Sequence, residues 1–411
     1  LGQGDDGALG QLADSALTGK APIAGFDGSE GQIGSQLGGS AIFKAVGAGG
    51  VVDFQAGQAA VVQSAIGLGA GGAARYWLGK VEENFAKAHP EYNITWKNDV
   101  VSEGDASKQV STDPSAAADV YMFASDQLGV LMDAKAIGQL GTDAEKQVKE
   151  QNGDLEVNSV TGTDGKLYGV PYTDNTWFMY YNKSKITEDE AKDFDTILSK
   201  AKVAFSLQNS WYINGFYDGL SLFGEKGNDA DAGMVFPKDG ADITSYLVDV
   251  VANPNFSNDD GASGLAAIKD GSADVLFSGT WSAKDVKEAL GDNYAATSLP
   301  TFTVNGQKKQ MKSFAATKAA AYNPNAKNPK AAAQFAAYLG STEAQKLHYE
   351  MRAIPPTDKS LSDLTTDDIA AKAQADTMAN TALLQSGLSG MNDWWTPAET
   401  FGKVLDAALA R

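Results

Sequence analysis

Hydrophobic and polar residues are arranged along this chain as a series of short strands and helices. Leu78, Val81 and Phe85 recur at the spacing of one helical face. Residues 92–96 alternate in polarity as a half-buried strand does, whereas 119–123 form a short apolar run typical of a buried parallel strand. The pattern therefore predicts a helix followed by two strands in this part of the chain.

The same alternation continues towards the end of the chain. Further strands are predicted at 167–172, 177–181 and 273–277, and a helix at 331–339. Strands that alternate with helices indicate an α/β fold with parallel-rich sheets covered on both faces. The 411 residues correspond to two or three lobes of ordinary size. If the chain forms two lobes, several short segments must cross between them, because the sequence contains no long proline-rich linker.

The first 75 residues differ from the rest, since they contain 19 of the 44 glycines and no tyrosine or tryptophan. Glycine raises the entropy cost of ordering a segment, so only one strand is predicted here, at 50–54. A phosphate-binding loop at 47–50 is a weak alternative, because no Lys-Ser or Lys-Thr pair follows it.

Charge and composition exclude several classes of function. The 52 acidic and 33 basic residues give a net charge of −19, which disfavours binding to nucleic acids and to anionic membranes. There is no cysteine, and His89 and His348 are too few for a multi-histidine metal site or a Ser-His-Asp triad. No apolar stretch reaches about 18 residues, so no membrane-spanning helix is predicted. No cofactor is predicted either.

Aromatic residues are concentrated beside predicted strand ends and turns, where ligands bind in open α/β sheets. Aromatic rings there can stack on the C–H faces of sugar rings, and each stack contributes about 0.5–1.5 kcal/mol. A place in the core is the alternative for each ring, but the polar sequences at 209–212 and 392–395 favour exposure. The residues concerned are Tyr172, Trp177, Trp211, Tyr212, Tyr217, Trp281, Trp394 and Trp395.

Carboxylates and amides near the same turns could hydrogen-bond sugar hydroxyls. The same residue types also cap helices and stabilise turns, so that alternative stays open for each of them. Two carboxylates about 5–10 Å apart would instead suit a glycosidase, with Asp126 or Asp174 as a catalytic group, but nothing in the sequence fixes such a distance. The candidates are Glu103, Asp105, Asp126, Asp174, Asn175 and Asn209.

Seven short segments give residues 76 to 400 a resemblance to a known family. They are Val-Ser-Glu-Gly-Asp at 101–105, Ala-Asp-Val-Tyr-Met-Phe-Ala-Ser-Asp-Gln at 118–127, Gly-Lys-Leu-Tyr-Gly-Val-Pro-Tyr at 165–172, Tyr-Tyr-Asn-Lys at 180–183, Gly-Thr-Trp at 279–281, Leu-Pro-Thr-Phe at 299–302 and Asn-Asp-Trp-Trp at 392–395. In these segments, and in their order, the chain resembles extracytoplasmic solute-binding proteins of sugar-import ABC transporters, in particular the maltose/maltodextrin-binding group.

The resemblance implies two α/β lobes of the periplasmic-binding-protein type with a ligand cleft between them. Residues 76–173 and 301–350 would form the first lobe, 174–300 and 351–411 the second, and 1–75 a separate glycine-rich segment. It also implies a monomeric, non-enzymatic receptor that closes on a neutral oligosaccharide, with malto-oligosaccharide as the leading candidate, and docks on a membrane permease. The protein would act at the cell surface or in the periplasm. Some relatives carry an anchoring, lipid-modified cysteine, which this sequence lacks.

The resemblance also assigns ligand-binding positions. An aromatic residue and an acid after one strand fall on Phe123 and Asp126, a polar position in the hinge strand falls on Asn175, and a stacking pair falls on Trp211 and Tyr212. The full predicted set is Glu103, Asp105, Phe123, Asp126, Tyr172, Asn175, Asn209, Trp211, Tyr212, Trp281, Trp394 and Trp395. A glycoside hydrolase or lyase, or the same fold binding a peptide or other solute, stays as an alternative.

Overall fold

The structure, a computed structural model, describes residues 39–44, 55–56 and 72–407, and side chains within 77–98 and 106–407. The strand expected at 50–54 lies outside the described residues. The α-helices span Gly72–Ala88, Glu103–Thr112, Leu128–Asp133, Thr142–Gln151, Asp154–Ser159, Phe194–Lys200, Gly240–Ala252, Ser263–Asp270, Ala283–Leu290, Pro329–Leu339, Thr342–Arg352, Ile369–Asn380 and Asn392–Ala407. The strands span Gly39–Lys44, Gln55–Ala56, Tyr92–Asn93, Asn98–Ser102, Ala118–Ala124, Val170–Thr176, Phe178–Asn182, Val203–Phe205, Ser221–Leu222, Met234–Val235, Phe256–Asn258, Val275–Ser278, Tyr294–Thr297, Thr301–Val304, Gln307–Gln310, Ser313–Tyr322 and Ala382–Leu384.

A six-stranded sheet with its covering helices forms what we call the first lobe. Its strands lie in the order Ala382–Leu384, Ser313–Tyr322, Ala118–Ala124, Gly39–Lys44 and Asn98–Ser102, and Val170–Thr176 also pairs with Ser313–Tyr322. Successive side chains of a strand point to opposite faces. Val120 and Met122 therefore pack in one apolar cluster, and Tyr121 and Phe123 in another. Both faces of this sheet are buried.

A five-stranded sheet with its helices forms what we call the second lobe. Its strands lie in the order Phe256–Asn258, Val203–Phe205, Val275–Ser278, Phe178–Asn182 and Tyr294–Thr297. The same alternation places Met179 and Tyr181 in one apolar cluster and Phe178 and Tyr180 in another. This sheet too is buried on both faces, as expected for an α/β protein.

The predicted two-lobed α/β architecture is confirmed, but the sheets are mixed rather than parallel-rich. Ala118–Ala124 was expected to be a parallel strand and is antiparallel to both of its neighbours. The reason is that its partners, Gly39–Lys44 and Ser313–Tyr322, come from distant parts of the chain and are not joined to it by the single helical crossover that links parallel strands. Parallel pairing occurs in both lobes: Val203–Phe205 lies between two parallel partners in the second, and Ala382–Leu384 is parallel to Ser313–Tyr322 in the first.

The two lobes are connected by several short crossings. One lies at Trp177, one between Thr297 and Ser313, and one at Thr381, just before the strand Ala382–Leu384. Hydrogen bonds tie these crossings together: Thr176 Oγ1 and Ser313 Oγ are 2.7 Å apart, and Ser313 N donates to Thr381 O at 3.0 Å. The connection is therefore a bundle of segments that can act as a hinge, while the lobe boundaries given above stay a prediction.

Candidate functional site

Two half-buried tryptophans lie together at one edge of the second-lobe sheet. Trp211 follows the strand Val203–Phe205, and Trp281 follows Val275–Ser278. These strands are parallel neighbours, so their carboxyl ends meet at the same edge. The centroids of the Trp211 and Trp281 rings are 6.0 Å apart, with 32° between the ring planes. We call these two side chains the tryptophan pair.

A tight turn and a glycine set the positions of the pair. The Oδ1 atom of the exposed Asn209 accepts a hydrogen bond from Trp211 N at 2.8 Å, which fixes the turn before the tryptophan. The Trp281 ring lies against Gly279, where an added Cβ atom would come within 2.1 Å of the ring. Gly279 is therefore needed so that the ring can lie flat over the backbone.

Three indole N–H groups hold the 209–212 turn in place. Trp177 Nε1 donates to Trp211 O at 3.0 Å, Trp394 Nε1 donates to Ser210 O at 2.9 Å, and Trp211 Nε1 donates to Gln385 Oε1 at 2.8 Å. Trp177 is fully buried and Trp394 is 6% exposed. Trp177 and Trp394 therefore support the turn by hydrogen bonds from the core. The resemblance assigns Trp394 to sugar stacking, but in this structure its ring is buried and supports the turn.

Tyr212 lies beside the pair, whereas the predicted ligand residue Trp395 packs on a different ring. Tyr212 is buried and stacks on Trp177 with a centroid distance of 4.8 Å and an angle of 20°. Burial raises the pKa of its phenol, so it remains neutral. Trp395 is half-buried and lies 5.9 Å from the ring of Phe314.

The aromatic residues predicted in the first lobe are core residues. Phe123 is fully buried and packs with Tyr121, because residues two apart in a strand share a face. Tyr172 is 2% exposed and stacks on His348 at 5.6 Å. Neither ring presents a face to a ligand in this structure, so we leave both out of the proposed site.

The polar candidates of the first lobe lie near strand ends. Asp126 follows the strand Ala118–Ala124, accepts a hydrogen bond from Gln127 Nε2 at 2.9 Å, and has its pKa raised by burial. Asn175 lies in the hinge strand opposite Ala316 and is half-buried. Glu103 and Asp105 occupy the first turn of a helix, and their side chains are outside the described part of the structure.

Residues 385–387, to which no sequence pattern pointed, connect this site to both lobes. Gln385 N donates to Ala315 O, and Gly129 N donates to Gly387 O, both at 2.8 Å. A cavity of about 100 Å³ lies beside this segment and is lined by Gln385, Leu128 and Asn228, among others. None of the predicted ligand residues lines the cavity, so we take the tryptophan pair as the candidate site.

The carboxyl groups give little support to a hydrolase. Asp174 Oδ1 is buried without a hydrogen-bond partner, and burial together with the neighbouring Glu156 raises the Asp174 pKa well above its usual range. Burial raises the pKa of Glu156 as well. Both upward shifts follow from burial, which structural carboxyl groups share, so they assign a catalytic role to neither residue.

Within the described residues, no three His, Asp or Glu side chains come together in a cluster able to hold a metal ion. Over the same part of the chain, no helix combines the length and the apolarity that a bilayer crossing requires.

Comparison with known proteins identifies the family. The family model of bacterial extracellular solute-binding proteins matches residues 80–379. A solved structure "with acarbose" is 42% identical, with a TM-score of 0.75, and the match covers 85% of this chain and 92% of that one.

Two further relatives are similar over most of their length. The maltodextrin-binding protein MalE1 from L. casei BL23, solved without ligand, is 28% identical with a TM-score of 0.75, and the match covers 81% of this chain and 90% of that one. A maltooligosaccharide ABC transporter solute-binding lipoprotein of Streptococcus pneumoniae (strain ATCC BAA-255 / R6) is 28% identical over 292 residues, which are 64% of this chain and 67% of the relative. Because the family model spans well over half of the sequence, the chain belongs to the bacterial extracellular solute-binding proteins.

Proposed function

We propose that this protein binds a malto-oligosaccharide or a closely related neutral sugar between its lobes and delivers it to the permease of an ABC importer. The tryptophan pair at the carboxyl edge of the second-lobe sheet carries this proposal. The names of the similar proteins support it, since they include maltooligosaccharide and maltodextrin binders. Family membership places the protein outside the cytoplasm.

Two half-buried rings at the carboxyl edge of a sheet suit a ligand that has flat apolar surfaces and no charge. Each stack of a sugar ring on a tryptophan would contribute about 0.5–1.5 kcal/mol. Hydrogen bonds between sugar hydroxyls and the side chains of Asp126, Asn175, Glu103 and Asp105, with the carboxylates as acceptors, would add to this from the first lobe. A micromolar Kd, equivalent to about −8 kcal/mol, is then expected after the ordering costs.

Binding would couple to movement of the lobes. A ligand that contacts both lobes favours the closed arrangement over the open one, in proportion to the extra contacts made on closure. The bundle of crossings at Trp177, Ser313 and Thr381 supplies the hinge. We further propose that the protein acts as a monomer, has no enzymatic activity and binds no nucleic acid. A lipid anchor through a cysteine is part of this proposal for the native form.

Replacing each member of the pair tests the function. We expect Trp211→Ala and Trp281→Ala each to weaken maltotriose binding tenfold or more, because each removes one stacking face. The measurement is isothermal titration calorimetry with maltotriose. Trp96→Ala is a matched control, since Trp96 is also half-buried but packs on Phe335 in the first lobe, and its affinity should stay within about threefold. Unchanged affinity in both pair variants would contradict the proposed site.

A ligand panel tests the sugar class. Ligands that bind the native state alone raise its Tm. Malto-oligosaccharides should therefore raise the Tm, whereas peptides should not. A Tm shift with a peptide and none with any sugar would overturn the proposed function.

A further inference from the structure

Gln385 makes a specific contact with one ring of the tryptophan pair. Its side-chain Oε1 accepts the hydrogen bond from Trp211 Nε1 at 2.8 Å, although the two residues are 174 positions apart in sequence. Gln385 is 6% exposed and Trp211 is half-buried, so this contact is partly sheltered from water. A hydrogen bond in such surroundings is stronger and more directional than one at the surface.

The backbone around Gln385 holds its side chain in place. Gln385 follows the strand Ala382–Leu384, and its N–H donates to Ala315 O at 2.8 Å in the neighbouring parallel strand. Ser386 Oγ donates to Gly227 O of the second lobe at 2.5 Å. Gly387 O accepts from Gly129 N of the first lobe. The residue that contacts Trp211 is therefore fixed to both lobes through its chain neighbours.

The Trp211 ring needs such a contact to keep its orientation. Its backbone is fixed by the 209–212 turn, but its side chain is half-buried and lies edge-on to Tyr212, at 86° and 5.6 Å. Its other ring neighbour, Trp281, is also half-buried. A polar bond at the indole nitrogen defines the plane of the ring, and the orientation of that plane decides how well a sugar stacks on it.

We propose that Gln385 is a positioning residue, which sets the plane of the Trp211 ring for the ligand. This rests on the proposed function, because Trp211 is taken as part of the sugar site. Gln385 itself need not contact the sugar. Its effect on affinity passes through the indole N–H of Trp211, which distinguishes it from a residue that binds a hydroxyl directly.

A double-mutant cycle tests the proposal. Gln385→Met keeps the length of the side chain and removes the acceptor, and should weaken maltotriose binding about three- to tenfold. Trp211→Phe keeps an aromatic face and removes the N–H donor. If Gln385 acts through that donor, adding Gln385→Met to Trp211→Phe should cause no further loss. Equal losses in both backgrounds, or no loss in either, would overturn the proposal. Gln385→Glu, which retains an acceptor oxygen, should stay closer to the unmodified protein than Gln385→Met.

A measurement without ligand separates this proposal from the proposed function. In ¹⁵N-tryptophan-labelled protein, the indole N–H of Trp211 should exchange with solvent at least about tenfold faster after Gln385→Met, whereas that of the buried Trp177 should not change. Unchanged exchange at Trp211 would contradict the positioning role even if no sugar bound. Failure of the protein to bind any sugar would instead count against the proposed function.

Discussion

The second lobe leaves two tryptophan rings half-buried at the edge of its sheet, whereas the first lobe buries the aromatic residues that were expected to contact the ligand there. Trp211 and Trp281 lie beyond the ends of their strands, in turns. Phe123 and Tyr172 lie within strands, where both sheet faces are covered, so their rings enter the core. The difference teaches that a ring within a strand of these two-sided sheets is buried, whereas a ring in the turn after a strand can stay half-buried, as the rings of Trp211 and Trp281 do.

Truncating one ring from each lobe gives the largest expected effects. It should separate the packing role of a first-lobe ring from the ligand-binding role of a second-lobe ring. Phe123→Ala should lower the free energy of unfolding by about 3–5 kcal/mol, because it leaves a cavity in a fully buried cluster. Trp281→Ala should cost less stability because the ring is half-buried, and should weaken sugar binding instead. Urea unfolding followed by circular dichroism measures the first quantity, and calorimetry with maltotriose measures the second.

The contrast between the lobes would be contradicted if Phe123 contributed to ligand binding and Trp281 did not. A tenfold loss of maltotriose affinity in the folded Phe123→Ala variant would show that the first lobe also presents this ring to the ligand. Full affinity in Trp281→Ala would remove the platform role from the second lobe.

A buried acid makes the stability of the first lobe depend on pH. Glu82 is 2% exposed, accepts a hydrogen bond from Asn98 Nδ2 at 2.7 Å, and has its pKa raised by burial from 4.5 to about 8. The folded protein therefore binds the proton more tightly than the unfolded chain. The stabilisation is fully present below about pH 4.5 and is lost as the pH rises towards 8, by up to about 1.4 kcal/mol per pH unit.

Glu82→Gln removes this titration. The variant should gain stability relative to the unmodified protein as the pH rises from 5 to 8, and maltotriose affinity should be unaffected. Urea midpoints measured at several pH values check this expectation. A constant difference across that range would show that the carboxyl is ionised in the folded protein throughout.

Local pattern predicted seven elements in the described region, and each of them overlaps a helix or strand of the structure. The apolar run at 119–123 lies inside the strand Ala118–Ala124, and the helix expected at 331–339 lies inside Pro329–Leu339. The direction of strand pairing was wrong because it depends on partners far away in the chain. Ala118–Ala124 pairs with Ser313–Tyr322, which no local pattern connects to it.

The candidate site was accessible from the sequence in part. The polar surroundings of Trp211 indicated a turn with an exposed ring; the structure has the turn, but the ring is half-buried. Trp394 stands in an equally polar sequence but is buried, because Phe236 and Phe314 from distant segments pack against it. No sequence pattern pointed to Gln385, because the role proposed for it depends on one contact with Trp211, which is distant in sequence. The ligand-binding roles themselves stay predictions.

A crystal structure with bound maltotriose tests the central claim most directly. We predict sugar rings stacked on Trp211 and Trp281 at ordinary van der Waals distance, about 3.5–4 Å between carbon atoms, with the lobes closed around them. A sugar held instead in the cavity beside Leu128 and Asn228, with both tryptophan faces free, would contradict the account.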